Sequence, residues 1–546
     1  MSRPVGIALA VALLVAAGLM WFRASERSAS AAEDLAVVAT RATEAAWPEA
    51  VRTHYADPGA SLIWIHQPRH REQMAAALDR AALEGISDEE LDVAGVREHL
   101  VRVEEGSQTE RAESELELSS ALLRLADVYA RGSRLLTDTE VEWRMDRDPE
   151  PDHTFLAAVA ETGVAPALDS LRPVIDVHDR TVDALARYRT RAEGEGEWPR
   201  ITHVVDAAVE RGDTHPVVAE IRNRLRGGMD DAERALAERA LVESGSDRAE
   251  HLDDDLAKAI ALFQARHGIA VDSVAGPETI AAMNVSLADR IDQLALNLDR
   301  FRRLPRDVGE RAILVNVAGF ELRVLEHNRP TLQMAVVVGQ PEWRTNVFSD
   351  SIEYLEVNPY WHVPESIEAA ETLPRAQEDP NYLTENRISV VAEGDNLGDP
   401  IDPSGIDWAE MSADDMPYDF RQEPGPENAL GQIKFMFPND YNIYLHDTPA
   451  DALFQEDFRA FSHGCIRLER PFELAEYVLR HGSEYTAEEL AAVRESGERT
   501  RFDLSTPLPV YIAYLTAWVD DDGRVRFHQD VYDLDEKEEA ALGRAS

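Results

Sequence analysis

The spacing of apolar residues changes its period once along this chain of 546 residues, near Pro305. That change separates what can fold as helix from what can fold as sheet. Before it, Leu118, Leu122, Leu125 and Tyr129 recur at steps of four, three and four, one face of a helix, with Gly132 placed to end it. Leu78, Ala81 and Ala82 form a similar face stopped by Gly85. Beyond Pro305, Ile313, Val315 and Val317 alternate, Gly319 turns, and Leu322 and Val324 alternate again, the pattern of a hairpin. Residues 334–338 read as a third strand, with later strands predicted over 433–437, 443–445 and 510–519. The last of these meets Asp522-Gly523, a hairpin turn signal, before residues 525–527. Residues 471–481 read as a helix. The chain is predicted to be multidomain α+β, helical first and mostly β in its last part.

Six stretches follow. Residues 1–32 hold Arg3, an apolar run from Val5 to Phe22, then Arg23, Glu26 and Arg27. The run is longer than the roughly 7–15-residue core of a cleavable signal and at the short end of a membrane span. An uncleaved inner-membrane signal anchor is the favoured reading; Ala29-Ser30-Ala31 offers a cleavage site as the alternative, and export follows either way. Residues 33–205 are expected to form a helical scaffold, with loops at 145–151 and 193–197 and no gathering of catalytic groups. His66 and His70 stand four apart, but Pro68 breaks the helix a metal pair would need, and no metal or cofactor is expected. Residues 215–286 read as a small three-helix unit: Leu256, Ile260 and Phe263 share a face, Gly268 stops that helix, and Gly276-Pro277-Glu278-Thr279 opens another. This arrangement resembles the peptidoglycan-binding domain of cell-wall enzymes. Residues 287–310 are a connecting helix, 311–535 the β-rich domain and 536–546 an acidic tail. Within 373–424 the strand pattern lapses among Asp395, Gly398, Pro400, Pro403 and Gly405, which reads as an irregular inserted lid.

Charge narrows the partners. The chain has 55 basic and 103 acidic residues, a net −48, so it has nothing with which to neutralise phosphates in quantity, and nucleic acid is excluded. Only Lys258, Lys434 and Lys537 are lysines. An acidic, lysine-poor surface fits a salty habitat, where self-repulsion is screened, and equally fits arginine-rich codon usage.

The single cysteine, Cys465, lies in Ser462-His463-Gly464-Cys465-Ile466-Arg467-Leu468, nineteen residues after His446 in Tyr444-Leu445-His446-Asp447-Thr448-Pro449. With no second thiol it makes no intrachain disulfide, so it either packs or reacts. A glycine and two histidines make a poor core and a good strand-end turn. A nearby imidazole is what turns a thiol into a nucleophile at neutral pH.

His446, fifteen further residues and then Ser-His-Gly-Cys resembles the L,D-transpeptidases, the cysteine enzymes that cross-link peptidoglycan, and in particular their large periplasmic Gram-negative type. The runs 358–364, 428–431, 434–439 and 445–449 match that pattern too, though His362 stands where the family commonly has asparagine. The resemblance implies Cys465 as nucleophile and His446 as base, oriented by a backbone carbonyl. It places His463 and the backbone N–H groups of Gly464 and Cys465 at an oxyanion. Arg467 suits a substrate carboxylate, or a salt bridge to Glu469 or Asp447. Ser462 holds the loop or His463, or is a plain turn residue. Tyr360 and Trp361 line the groove or the core, and Tyr444 is a further substrate contact.

The implied reaction attacks the third residue of a tetrapeptide stem, releases D-alanine and passes the acyl group to a diaminopimelate amine of a neighbouring stem, a 3→3 cross-link. Carbapenems would acylate the same sulfur. The expected setting is the periplasm, with stem peptides as partners and other wall-synthesis proteins as possible ones. Two rivals remain: the same Cys–His site with water as acceptor, a carboxypeptidase or endopeptidase, and a wall-anchored scaffold without catalysis.

Overall fold

The protein is described by a computed structural model, which covers residues 29–136, 143–145, 148–203, 208–244, 249–379, 381–395 and 398–542. Most of the expected anchor, residues 1–28, and the end of the expected tail, 543–546, lie outside these. The architecture is mixed α+β, a helical N-terminal part followed by a β-rich C-terminal domain with one large sheet.

The helical part is built around Gln108–Arg131, opened by a capping box between Ser107 and Glu110 and closed at Gly132 with φ +77°. Leu118, Leu122, Leu125 and Tyr129 are buried along it, as their spacing predicts. The same helix also buries Glu115. Its carboxylate accepts from the backbone N–H of Ile63, Trp64 and Ile65 and from the Tyr55 hydroxyl. One buried acid therefore ties a loop with no regular pairing of its own to the helix. His66 and His70 turn apart, the first to Asp34, the second to the Ile63 carbonyl.

The small unit has four helices rather than three: Pro216–Arg226, Asp231–Ser244, Asp254–Arg266 and Pro277–Asn284. The second, rich in Ala, Glu and Arg, has a weak apolar face, which hid it in the sequence. Leu256, Ile260 and Phe263 form its core with Val217, Ile221 and Leu225.

The β-rich domain contains β1 (Arg311–Asn316), β2 (Glu321–Glu326), β3 (Arg329–Gly339), β4 (Phe348–Val357), β5 (Trp361–His362), β6 (Ile388–Ala392), β7 (Tyr418–Gln422), β8 (Ile433–Met436), β9 (Leu445–His446), β10 (Ala460–Ser462), β11 (Ile466–Leu468), β12 (Thr500–Ala513), β13 (Ala517–Val519) and β14 (Val525–Phe527). Nine strands run in the order β10-β3-β11-β9-β8-β4-β12-β1-β2, and β2 pairs also with β3. Eight of them thus close on themselves, and β10 remains as an appended edge. The predicted strand 510–519 is two strands in two sheets: β12 ends at Ala513, and β13 pairs with β14 in a separate hairpin.

The lid is also corrected. Far from irregular, it is an ordered unit that begins earlier, at Trp361, with β5-β7-β6 as its own three-stranded sheet. Its core holds Val363, Leu373, Leu383, Val390, Trp408 and Phe420.

The acidic tail is corrected as well: Leu534–Ala541 is a helix docked on the connecting helix Leu287–Arg303. The Arg300 guanidinium, fully buried, pairs with Glu538 at 2.6 Å and Asp535 at 2.7 Å. Arg302 donates to the Glu84 carbonyl, Arg303 to the Ser133 carbonyl and the Asn297 amide to the Thr516 hydroxyl, so one helix links scaffold, β-rich domain and C-terminal helix. Replacing Glu538 by alanine leaves a buried guanidinium short of a counter-charge, and such losses cost about 3–5 kcal/mol. A destabilisation of that size is expected by chemical denaturation of the Glu538→Ala chain; a cost below about 1 kcal/mol would contradict the burial.

Candidate active site

Two short strands set the geometry. β9 and β11 run parallel, with Leu445 opposite Ile466 and His446 opposite Arg467. Side chains alternate along a strand, so Leu445 and Ile466 enter the core, while His446 and Arg467 point to the other face. Stepping two residues back along each chain puts Tyr444 and Cys465 on that second face too. β8 adds Lys434, opposite His446. All five line one cavity of about 1090 Å3 between the closed sheet and the lid. Tyr360, Trp361, Ser462 and His463 line it as well, so every candidate catalytic or substrate-binding residue named from the sequence except Gly464 lines this space.

The cysteine turn is held from below. Gly464 adopts φ +111°, a conformation that favours glycine. The Ser462 hydroxyl donates to the Cys465 carbonyl at 2.5 Å and accepts from the Gly464 N–H at 3.1 Å. That corrects the expected oxyanion pair: the Gly464 N–H is already engaged, while the Cys465 N–H has no partner among the described residues. Thr345 donates its hydroxyl to the Gly464 carbonyl at 2.8 Å, and the Tyr532 hydroxyl braces Thr345 and the Gly339 carbonyl. Neither Thr345 nor Tyr532 was read from the sequence, because nothing local marks two residues that meet the turn from 119 residues before it and from the C-terminal segment.

His446 is buried, and its Nδ1 lies 2.5 Å from the Asp447 carbonyl. A carbonyl only accepts, so Nδ1 carries the hydrogen and Nε2 presents a lone pair. Burial, with Arg467 and Lys434 nearby, lowers this imidazole to about 3, so it is neutral at ordinary pH. The Cys465 thiol is pushed up by burial; hydrogen bonds from the Tyr444 N–H and hydroxyl and the charge of Arg467 pull the other way without prevailing. The resting pair is neutral thiol and neutral imidazole. The S–H points to the Asn442 carbonyl at 3.7 Å.

The cations of the cavity differ. Lys434 pairs with Glu356 at 3.3 Å. Arg467 forms neither expected bridge: the Asp447 carboxylate accepts from the Gln432 and Thr448 N–H groups, and Glu469 accepts from Ala335. No carboxylate of a described residue pairs with Arg467, and its Nε is buried without a hydrogen bond. His463 is engaged with the lid and the loop after β3, its Nε2 3.1 Å from Glu371 and its ring against Trp343. The opposite wall is acidic, with Glu365, Glu368, Glu371, Glu393 and Asp419. Burial raises Glu368 to about 7.

Residues 310–512 match the family described as the L,D-transpeptidase catalytic domain (YkuD). This chain carries an L,D-transpeptidase domain. Residues 49–185 match the "Scaffold domain" and residues 230–283 the "Putative peptidoglycan binding domain". A curated relative, "Putative L,D-transpeptidase" of Haemophilus influenzae, is 34% identical over 243 residues, 44% of this chain and 48% of that protein. The chain thus spans about half the length of the curated relative it matches. Among solved structures, an L,D-transpeptidase from Mycobacterium smegmatis aligns at TM-score 0.17 and 10% identity, over 37% of this chain and 58% of that one. The L,D-transpeptidase (residues 123–326) from Xylanimonas cellulosilytica aligns at TM-score 0.16 and 13% identity, over 57% and 100%. Overlaps this weak carry no weight.

A neutral resting pair in the L,D-transpeptidase domain has a readable consequence. A thiol raised by burial is less ionised than free cysteine at every pH below its own pKa. Iodoacetamide should alkylate Cys465 more slowly than free cysteine at neutral pH, with the rate still climbing near pH ~9. A plateau reached at neutral pH would instead indicate a thiolate–imidazolium pair.

Proposed function

We propose that this chain is a peptidoglycan L,D-transpeptidase acting through a Cys465 thioester. One observation carries the reading: the β9–β11 register sets the sulfur, a neutral His446 with a free lone pair and an unpaired Arg467 on one wall of one cavity. His446 takes the thiol proton as the sulfur attacks the carbonyl of the stem's third residue. The tetrahedral oxyanion meets the Cys465 N–H and the Tyr444 hydroxyl, which already reaches the sulfur. Collapse breaks the amide, and the proton on His446 passes to the leaving amine of D-alanine. The second half runs in reverse: the amine of a neighbouring diaminopimelate attacks the thioester, gives its proton to His446 and returns the thiol. Each bond broken is matched by one formed, and no nucleotide is consumed.

The cavity suits both substrates. Arg467 can hold a stem carboxylate bidentately without giving up a partner. The acidic lid wall suits an incoming ammonium, and a channel of this size admits a second peptide. Export to the periplasm, on an N-terminal anchor or after its cleavage, belongs to the same reading, as do the wall-directed small domain and acylation by carbapenems.

The test is mass analysis of disaccharide-tetrapeptide incubated with the full chain. Linked dimers lacking one D-alanine are expected. Shortened monomers alone would make the protein a hydrolase, and an unaltered substrate would leave only a scaffold. His446→Ala should lower the rate about 10²–10⁴-fold, the usual worth of a general base.

A further inference from the structure

Among the described residues, four large aromatic side chains stand exposed: Trp343, Phe458, Phe461 and Tyr485. Three of the four gather on one edge, beside the cysteine turn, so the exposure is not scattered as it is on an ordinary surface. Phe461 is the middle residue of β10, the appended edge strand; Ala460 and Ser462 on either side are buried, and alternation turns Phe461 outward. Phe458 packs edge-on against Phe461 at 6.1 Å and against Phe320 at 5.6 Å, which anchors the ridge to the β1–β2 hairpin. Trp343 reaches the same edge from the loop after β3, its ring 5.3 Å from that of His463. The cavity lining ends at His463, and none of the three aromatic residues belongs to it. The ridge is therefore a separate surface that shares a border with the site.

We propose that this ridge binds the glycan, seating an N-acetylated amino sugar of the strand that carries the stem peptide under attack. The inference rests on the proposed function and deepens it. A stem whose third carbonyl lies at Cys465 has three residues, about 10 Å of extended chain, and a short linkage between the sulfur and its sugar. Phe461 is four residues from Cys465, at most about 14 Å away. The sugar and the ridge are within reach of one another. A pyranose presents a face of C–H groups that packs on an aromatic ring, while its hydroxyls and acetamido group stay in water. Such a ligand suits exposed rings with no counter-charge to offer, and it would fix the stem before the peptide enters the cavity.

The experiment compares kcat/KM of the full chain on a disaccharide-tetrapeptide and on the same tetrapeptide without sugar. Phe461→Ala should lower the first about tenfold and the second less than twofold, an effect of one good contact. Phe461→Trp should restore the first. Because Phe461 is exposed, unchanged thermal unfolding is expected, and Phe458→Ser provides a second variant should Phe461→Ala unfold. Equal losses on both substrates, or no loss on either, would overturn the inference while leaving the transferase reading intact. A dimer of the unaltered chain that Phe461→Ala abolishes in sedimentation would assign the ridge to a second copy and overturn it likewise. If the unaltered chain processes neither substrate, the proposed function itself falls and takes this inference with it.

Discussion

The parallel pairing of β9 and β11 is the constraint on which the rest of the site depends. Each strand is only two or three residues long, and alone neither would hold a register. They are held because Leu445 and Ile466 are buried on the inner face. A slip of one residue would carry both outward and drive His446 and Arg467 into the core. The hydrophobic core therefore fixes the geometry of the polar face. Closure of the sheet through the β2–β3 contact reinforces this by leaving the site strands no free edge.

The same core tunes the chemistry. Burial neutralises the imidazole and suppresses the thiolate, so on the sheet wall of the site a neutral Cys465–His446 pair rests beside Arg467 and the compensated Lys434. A neutral thiol beside a neutral base protects the chain's single cysteine from oxidation, which attacks thiolates first. The buried charges elsewhere have a different task. Arg300 with Glu538 and Asp535, and Glu115 with three backbone N–H groups, fix how segments meet and leave little freedom of register.

Much of the fold was legible in the sequence because it rests on local periodicity: the Gln108–Arg131 helix, the first hairpin and the Asp522-Gly523 turn all announce themselves. The lid did not. Its strand β7 reads Tyr-Asp-Phe-Arg-Gln, with Arg421 and Gln422 buried through partners rather than through apolarity, so no alternation shows. The helix Asp231–Ser244 and the docked C-terminal helix were missed for the same reason: Glu538 is buried by an arginine far away in sequence. At the site, the residue types of the motif marked Cys465, His446 and Arg467. The Ser462 bond that occupies the Gly464 N–H, and the lid glutamate on His463, depend on contacts that no spacing encodes.

The most direct measurement is intact-mass spectrometry of the full chain mixed rapidly with tetrapeptide donor and no acceptor amine, followed by peptide mapping. The account predicts a transient adduct of the stem's first three residues, on the peptide that contains Cys465, that disappears when an amine acceptor is added. Turnover of the donor with no mass on that peptide, or an adduct mapped to another residue, would contradict it.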